Sequence, residues 1–280
     1  MILEHEIPVE SKLYFGETAK LKRYIENIAS DILYNKGFEE IVTPHFSYHQ
    51  SIDDESKIIR LNDKENFNLT LRADSTIDAV RIINKRLDGN HSKWFYIQPI
   101  FRYPSHEQYQ IGTEVINEKK VEIVLNGAID IFSELKIKPL LQLSNINIPM
   151  IISKELNIDI EWFKRIEIQK LFSLNIDWLS KLVYAQSKED LEEIINIVPS
   201  YLKNEIQKII ELTSVINYDN IILAPLYYAK MRYYDELFFR FFDGNRVYSR
   251  GGRYVNDGQN CVGFGIYTDE VIEILSKGKK

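Results

Sequence analysis

The sequence predicts an α+β fold in which a mainly antiparallel sheet is flanked by helices and interrupted by a mainly helical insertion at about residues 151–216. Three observations predict it. Strand-like runs at 94–103 and 108–116 are joined by Pro104-Ser105-His106-Glu107, which reads as a hairpin. A second pair, 237–242 and 246–250, meets at Asp243-Gly244-Asn245, a tight-turn sequence. Residues 151–216 contain no glycine, intersperse charged with apolar residues at helical spacing, and show no internal repeat. Strand pairs this close in sequence favour antiparallel ladders with helices packed against them.

Residues 19–34 place Leu21, Tyr24, Ile25, Ile28, Ile32 and Leu33 on one helical face, and Gly37 follows as a stop. FEEIVTPHF, at 38–46, reads as a short strand broken by Pro44, which lacks an N–H and has a fixed φ. Residues 67–71 read as a strand that turns into a helix capped by Asp74 or Ser75, with Asp78 three residues after Ser75. Residues 121–135 carry a helical pattern. A last strand at 262–266 leads to Thr268, which caps a helix bearing Val271, Ile272 and Leu275.

At 280 residues the chain is long enough for one large domain, or one domain with an insertion. The single cysteine, Cys261, excludes an internal disulfide and a cysteine-cluster metal site, and it reads as a small buried residue. The first residues carry no basic leader and no later run is apolar for the length of a membrane span, so a soluble, cytoplasmic protein is expected. A net charge of −6 argues against a large nucleic-acid surface. Lys277, Lys279 and Lys280 read as a solvated tail. Five histidines show no HExxH spacing, and GxxxxGK[ST], GxGxxG and GxSxG are all missing, so neither a metal nor a cofactor is expected.

Residues 108–115 alternate cleanly, with Gln108, Gln110, Gly112 and Glu114 on one face and Tyr109, Ile111, Thr113 and Val115 on the other. Gly112 between Gln110 and Glu114 predicts a gap where a ligand rests on the sheet; a solvent-washed outer face is the plainer alternative. The pair Gly251-Gly252 predicts close approach by a ligand or by a second backbone.

Three segments, LTLRADST at 69–76, FRYPSHEQYQIGTEV at 101–115 and RGGRYVNDGQNCVGFGI at 250–266, together resemble class II aminoacyl-tRNA synthetases of the histidine type. The resemblance is closest to a non-synthetase relative, the regulatory subunit of ATP phosphoribosyltransferase. It implies a class II aminoacyl-tRNA synthetase-like antiparallel sheet, with no anticodon-binding domain, and homodimerisation through the segment around Pro44. It implies a histidine-like pocket as well. Gln110 and Glu114 would bind the amino acid, Asp74 of Arg72-Ala73-Asp74-Ser75-Thr76 would take its α-ammonium beside Thr76, and Tyr233, Tyr234 and Tyr254 would line the pocket, with Arg102 retained in a depleted setting.

Three departures shape the expected function. Glu270 stands where the resemblance implies an arginine for the ATP γ-phosphate, so attraction becomes repulsion. Ala229 stands where it implies an arginine that assists amino-acid activation, although Lys230 or Arg232 could substitute. The loop after Phe101-Arg102 is short. The expectation is a protein without catalytic residues of its own: a regulatory subunit that activates a separate, short-form catalytic subunit in the first step of histidine biosynthesis, contributes to histidine feedback, and assembles as a homodimer within a hetero-oligomer. An amino-acid-activating ligase and a stand-alone amino-acid sensor stay open as alternatives.

Overall fold

The computed structural model of the chain describes residues 6–48, 52, 54–87, 91–229 and 234–277. The first amphipathic run forms α1 (Gly16–Asn35), which buries Ile25, Ala29 and Leu33 and ends at Gly37, whose φ of +78° suits a residue without Cβ. The Pro44 segment is divided between β1 (Glu39–Glu40) and β2 (Phe46–Ser47). A 3-10 turn at Glu55–Lys57 leads to β3 (Arg60–Asn62) and β4 (Asn68–Leu71), which join β2 in a small antiparallel sheet of order β2-β4-β3. Sequence reading found β4 but not β3, because its three residues are all exposed and leave no apolar alternation to detect. Helix α2 (Thr76–Arg86) follows. Asp74 is its cap: Oδ1 accepts the N–H groups of Thr76 at 2.9 Å and Ile77 at 3.3 Å, whereas the Ser75 hydroxyl makes no capping bond.

The expected hairpin is β5 (Lys93–Arg102) with β6 (His106–Ile116), and α3 (Val121–Glu134) follows it. Beyond β7 (Leu140–Asn145) the chain runs through α4 (Asn147–Glu155), α5 (Glu161–Lys164), α6 (Ile168–Ser173), α7 (Asp177–Tyr184), α8 (Lys188–Ile194) and α9 (Ser200–Val215), then returns at β8 (Ile221–Leu223). The second expected hairpin is β9 (Tyr234–Asp243) with β10 (Arg246–Asn256), followed by β11 (Gln259–Tyr267) and α10 (Thr268–Lys277). The large sheet has the order β1-β5-β6-β11-β10-β9-β7-β8. Its β1–β5 and β7–β8 pairs are parallel, and the pairs between them are antiparallel. A parallel pair needs a long crossover, and here the helices α4 to α9 supply it.

The two faces of the sheet differ. On one, Phe95, Ile111, Phe239, Phe241, Phe264 and Ile266 are fully or almost fully buried in an apolar core shared with α1, α3, α10 and the helices α4 to α9. On the other, Tyr96, Phe238 and Tyr254 pack with Ala79, Val80 and Ile83 of α2, and the remainder of that face opens into a cavity. The doubled glycine serves this packing. A Cβ on Gly251 would lie 2.3 Å from the Phe239 ring, and one on Gly252 would lie 2.6 Å from the Leu237 carbonyl, so the close approach is by the chain's own side chains and backbone rather than by a ligand. Cys261 is fully buried in β11. Tyr233, Lys230 and Arg232, and the terminal Lys279 and Lys280, lie outside the described residues.

Candidate functional site

The cavity over the open face holds about 1340 Å³. Strand β6 forms its centre, and its alternation is the one expected: Gln108, Gln110 and Glu114 line the cavity while Ile111 and Val115 join the core. Gly112 is not the gap. A Cβ there would lie 2.2 Å from a ring carbon of Tyr96, so this tyrosine leans from the neighbouring strand across the glycine and occupies the space a ligand was expected to use. The open floor is Gly265, in register with Gly112, where an added Cβ would have nothing within 4 Å.

Glu114 is at the inner end of the cavity and is 1% exposed. Tyr254 donates its hydroxyl to Oε2 at 2.5 Å, Tyr96 donates to Oε1 at 3.2 Å, and Thr76 Oγ1 lies 3.2 Å from the Tyr96 hydroxyl. Burial pushes the Glu114 carboxyl up to about 8, although the hydrogen bonds from Tyr254, Thr76 and Tyr96 favour its charged form. Burial and the adjacent Glu114 push both tyrosine hydroxyls well above their ordinary value, so they remain donors. Asp74 keeps partial exposure to the cavity from the mouth of α2. The surrounding protein still raises its carboxyl, and Arg102 opposes that rise. Arg102 lines the cavity and donates Nε to the Ala73 carbonyl at 3.0 Å, while Tyr234 enters from the start of β9.

Seven of the eight expected pocket residues therefore meet in one cavity: Asp74, Thr76, Arg102, Gln110, Glu114, Tyr234 and Tyr254. The eighth, Tyr233, is outside the described residues. Sequence reading missed Tyr96. The expected turn at 104–107 would set Tyr96 opposite Val115; the observed turn is shorter, with Arg102 opposite His106, and that register sets Tyr96 opposite Gly112, where an aromatic commonly covers a cross-strand glycine. Arg72 is fully buried and points away from the cavity. Its guanidinium donates to the carbonyls of Thr43 at 2.8 Å, Pro44 at 3.1 Å and Pro99 at 2.7 Å. Burial lowers it to about 10, so it stays charged at neutral pH and ties the Pro44 segment to β5.

The start of α10 is closed to anions by the chain's own charges. Glu270 pairs with Arg246 at 3.2 Å, and Arg246 is also bound by Glu273. Asp269 accepts the Tyr109 N–H at 3.0 Å and the Tyr14 hydroxyl. Both acidic residues complement the helix dipole where a phosphate would otherwise sit. Ala229 is buried and brings no charge. Among the described residues no group of three or more His, Cys, Asp or Glu side chains is placed to hold a metal ion, and no helix is long and apolar enough to cross a membrane.

A family model described as histidyl-tRNA synthetase matches residues 15–271 of this chain. The chain is 44% identical over 277 residues, 98% of its length and 96% of the relative's, to an ATP phosphoribosyltransferase regulatory subunit of Wolinella succinogenes. Its fold is similar to the crystal structure of an ATP phosphoribosyltransferase regulatory subunit/histidyl-tRNA synthetase from Bacillus halodurans, with a TM-score of 0.81 at 16% identity over 98% of this chain and 84% of that one. It is also similar to a chain of the ATP phosphoribosyl transferase complex from Thermotoga maritima, with a TM-score of 0.68 at 18% identity over 89% of this chain and 97% of that one. A largely polar cavity on a class II synthetase-like sheet, beside a helix start filled by its own carboxylates, accompanies a match along nearly the whole length of both chains. The chain belongs to the family of ATP phosphoribosyltransferase regulatory subunits, on a histidyl-tRNA synthetase-like fold.

Proposed function

We propose that this chain is the non-catalytic regulatory subunit of an ATP phosphoribosyltransferase: it joins a separate catalytic subunit, raises its turnover, and conveys inhibition by histidine in the first step of histidine biosynthesis. The observation that carries this reading is the pairing of a retained amino-acid cradle with a cancelled phosphate site. Asp74, Thr76, Gln110, Glu114, Tyr234 and Tyr254 offer a small zwitterion with a ring nitrogen both donors and acceptors, Arg102 lines the same cavity, and Tyr233 joins the set by resemblance alone. Arg246, which reaches the first turn of α10, is neutralised by Glu270 and Glu273. Feedback then requires that histidine bind the inhibited assembly more tightly than the active one.

In this reading the chain is a cytoplasmic homodimer within the hetero-oligomer, a single synthetase-like core with the helices of residues 151–216 inserted in it. The test is to mix the purified chain with a short-form catalytic subunit and follow turnover with and without histidine. A rate gain that histidine reverses is expected; no gain and no change in inhibition would end the proposal. Histidine-dependent exchange of pyrophosphate into ATP by the chain alone would favour the amino-acid-activating ligase instead.

A further inference from the structure

Strand register sets six residues side by side on the cavity face: Tyr96, Gly112, Gly265, Arg250, Arg240 and Gln142. Directly opposed residues of neighbouring strands point to the same face, and like charges so placed repel. Arg250 and Arg240 form such a pair. Arg240 spreads its charge, donating from Nε at 3.1 Å and from a terminal nitrogen at 2.7 Å to the Gln142 carbonyl, and stacking 4.5 Å from the ring centres of both Tyr227 and Phe242. Burial and the facing Arg250 lower its proton affinity.

Arg250 has no comparable relief. It donates to the Tyr267 hydroxyl at 3.4 Å, lies 5.9 Å from the centre of the same ring, and lines the cavity beside the open floor at Gly265. The other described cations lining the cavity stand beside carboxylates: Lys57 with Asp54, Arg246 with Glu270 and Glu273, and Arg102 with Asp74. Arg250 has no carboxylate within ion-pair distance among the described residues. A part-buried guanidinium with a second cation on the strand to one side and the open floor of Gly265 on the other, its charged form favoured, despite burial, by Tyr267, Tyr227 and Tyr234, is a place where an anion gains.

We propose that Arg250, with Arg240 behind it, is the carboxylate subsite of this cavity, holding the α-carboxylate of an amino acid over Gly265 while the ammonium lies toward Asp74 and Gln110. The proposal rests on the amino-acid reading of the pocket. Gln110 and Gly112 belong to β6 and Arg250 to β10, two strand spacings or about 10 Å apart, a gap that an arginine side chain reaching inward closes to the size of an α-amino acid. A guanidinium fork suits a carboxylate and gives nothing comparable to a neutral hydroxymethyl group.

The test is calorimetric titration of the full chain, as wild type, Arg250→Gln and Arg250→Lys, with L-histidine and with L-histidinol, which keeps the ring and ammonium but lacks the carboxylate. The wild type is expected to prefer histidine by about tenfold or more. R250Q is expected to lose that preference while binding histidinol as the wild type does, and R250K to keep part of it. Unchanged histidine affinity in R250Q, or an equal loss for both ligands, overturns the subsite and leaves the pocket reading standing. Failure of the wild type to bind either ligand overturns both.

Discussion

Glu114 is the cavity group whose charge depends most on where the fold puts it. Burial raises its carboxyl from an ordinary value of 4.5 to about 8, so between those values the native chain holds a proton that the unfolded chain has released. That contribution to stability is complete below about pH 4.5 and is lost as the pH rises through about 8. Thermal melts of the wild type should therefore fall more steeply than those of Glu114→Gln between about pH 5 and about pH 8; parallel curves would mean that the carboxyl is ionised in the native protein. The two floor glycines separate stability from binding. In Gly112→Ala the new methyl would lie 2.2 Å from the Tyr96 ring, and such overpacking costs about 1–3 kcal/mol, read as a lower melting temperature. Gly265→Ala meets nothing within 4 Å, so it should change stability by less than about 0.5 kcal/mol while weakening histidine binding by filling the floor. Equal melting losses in the two variants would remove the distinction. Alternation along one strand made Gln110 and Glu114 legible in the sequence, but it says nothing about what a neighbouring strand lays across a glycine. For that reason the gap assigned to Gly112 belongs to Gly265, and the roles of Tyr96 and Arg250 emerge only with the register.

Among the secondary-structure elements, α9 is fixed to the strands of the pocket by polar contacts. Lys208 of α9 binds Glu205 on its own helix at 2.8 Å and also Glu236 of β9. Glu236 in turn holds Arg253 of β10, which donates to Asn260 of β11 at 2.6 Å, and Glu205 accepts from Asn145 of β7 at 2.9 Å. These contacts sit next to Tyr234 and Tyr254 in sequence, so α9 is linked to the strands that carry both pocket tyrosines. Replacing Lys208 with methionine keeps the stem and removes the shared cation from two mostly buried carboxylates. The expected loss is about 1–2 kcal/mol, after allowing for the partial exposure of the lysine, and it is read by denaturant unfolding. An unchanged midpoint would mean that the link adds nothing to stability. The elements that sequence reading located have a strong period, or a cap or turn at one end: α1, α2, α3, α10, β4, β11, both hairpins and the helical stretch. Those it missed are β3, which is short and exposed, and β7 and β8, which pair in parallel around a crossover and offer few residues to count.

At the scale of the whole molecule, the surface beside the small sheet is apolar for a face that meets only water: Val42 is 76% exposed, Phe46 55%, Tyr48 58% and Phe67 59%. Large apolar side chains grouped in this way mark an interaction surface, and the resemblance assigns the Pro44 segment among them to a homodimer contact. The same segment is tied to the pocket through one residue. Arg72 takes the His45 carbonyl with its backbone N–H at 2.8 Å and the Thr43 and Pro44 carbonyls with its side chain, and Asp74 follows two positions later. If a second copy docks on residues 42–48 as the resemblance implies, it would fix the backbone from which Asp74 and Thr76 project. Substituting Val42 and Phe46 together with aspartate sets two charges on that face, and burying them against a second copy without counter-ions is costly. The double variant is expected to sediment as a monomer at concentrations where the wild type runs at twice the chain's mass, to keep its circular dichroism, and to bind histidine more weakly because the Asp74 backbone is less restrained. A variant that remained dimeric would place the interface elsewhere. One that became monomeric with unchanged histidine affinity would show that Arg72 insulates the pocket from the contact it braces.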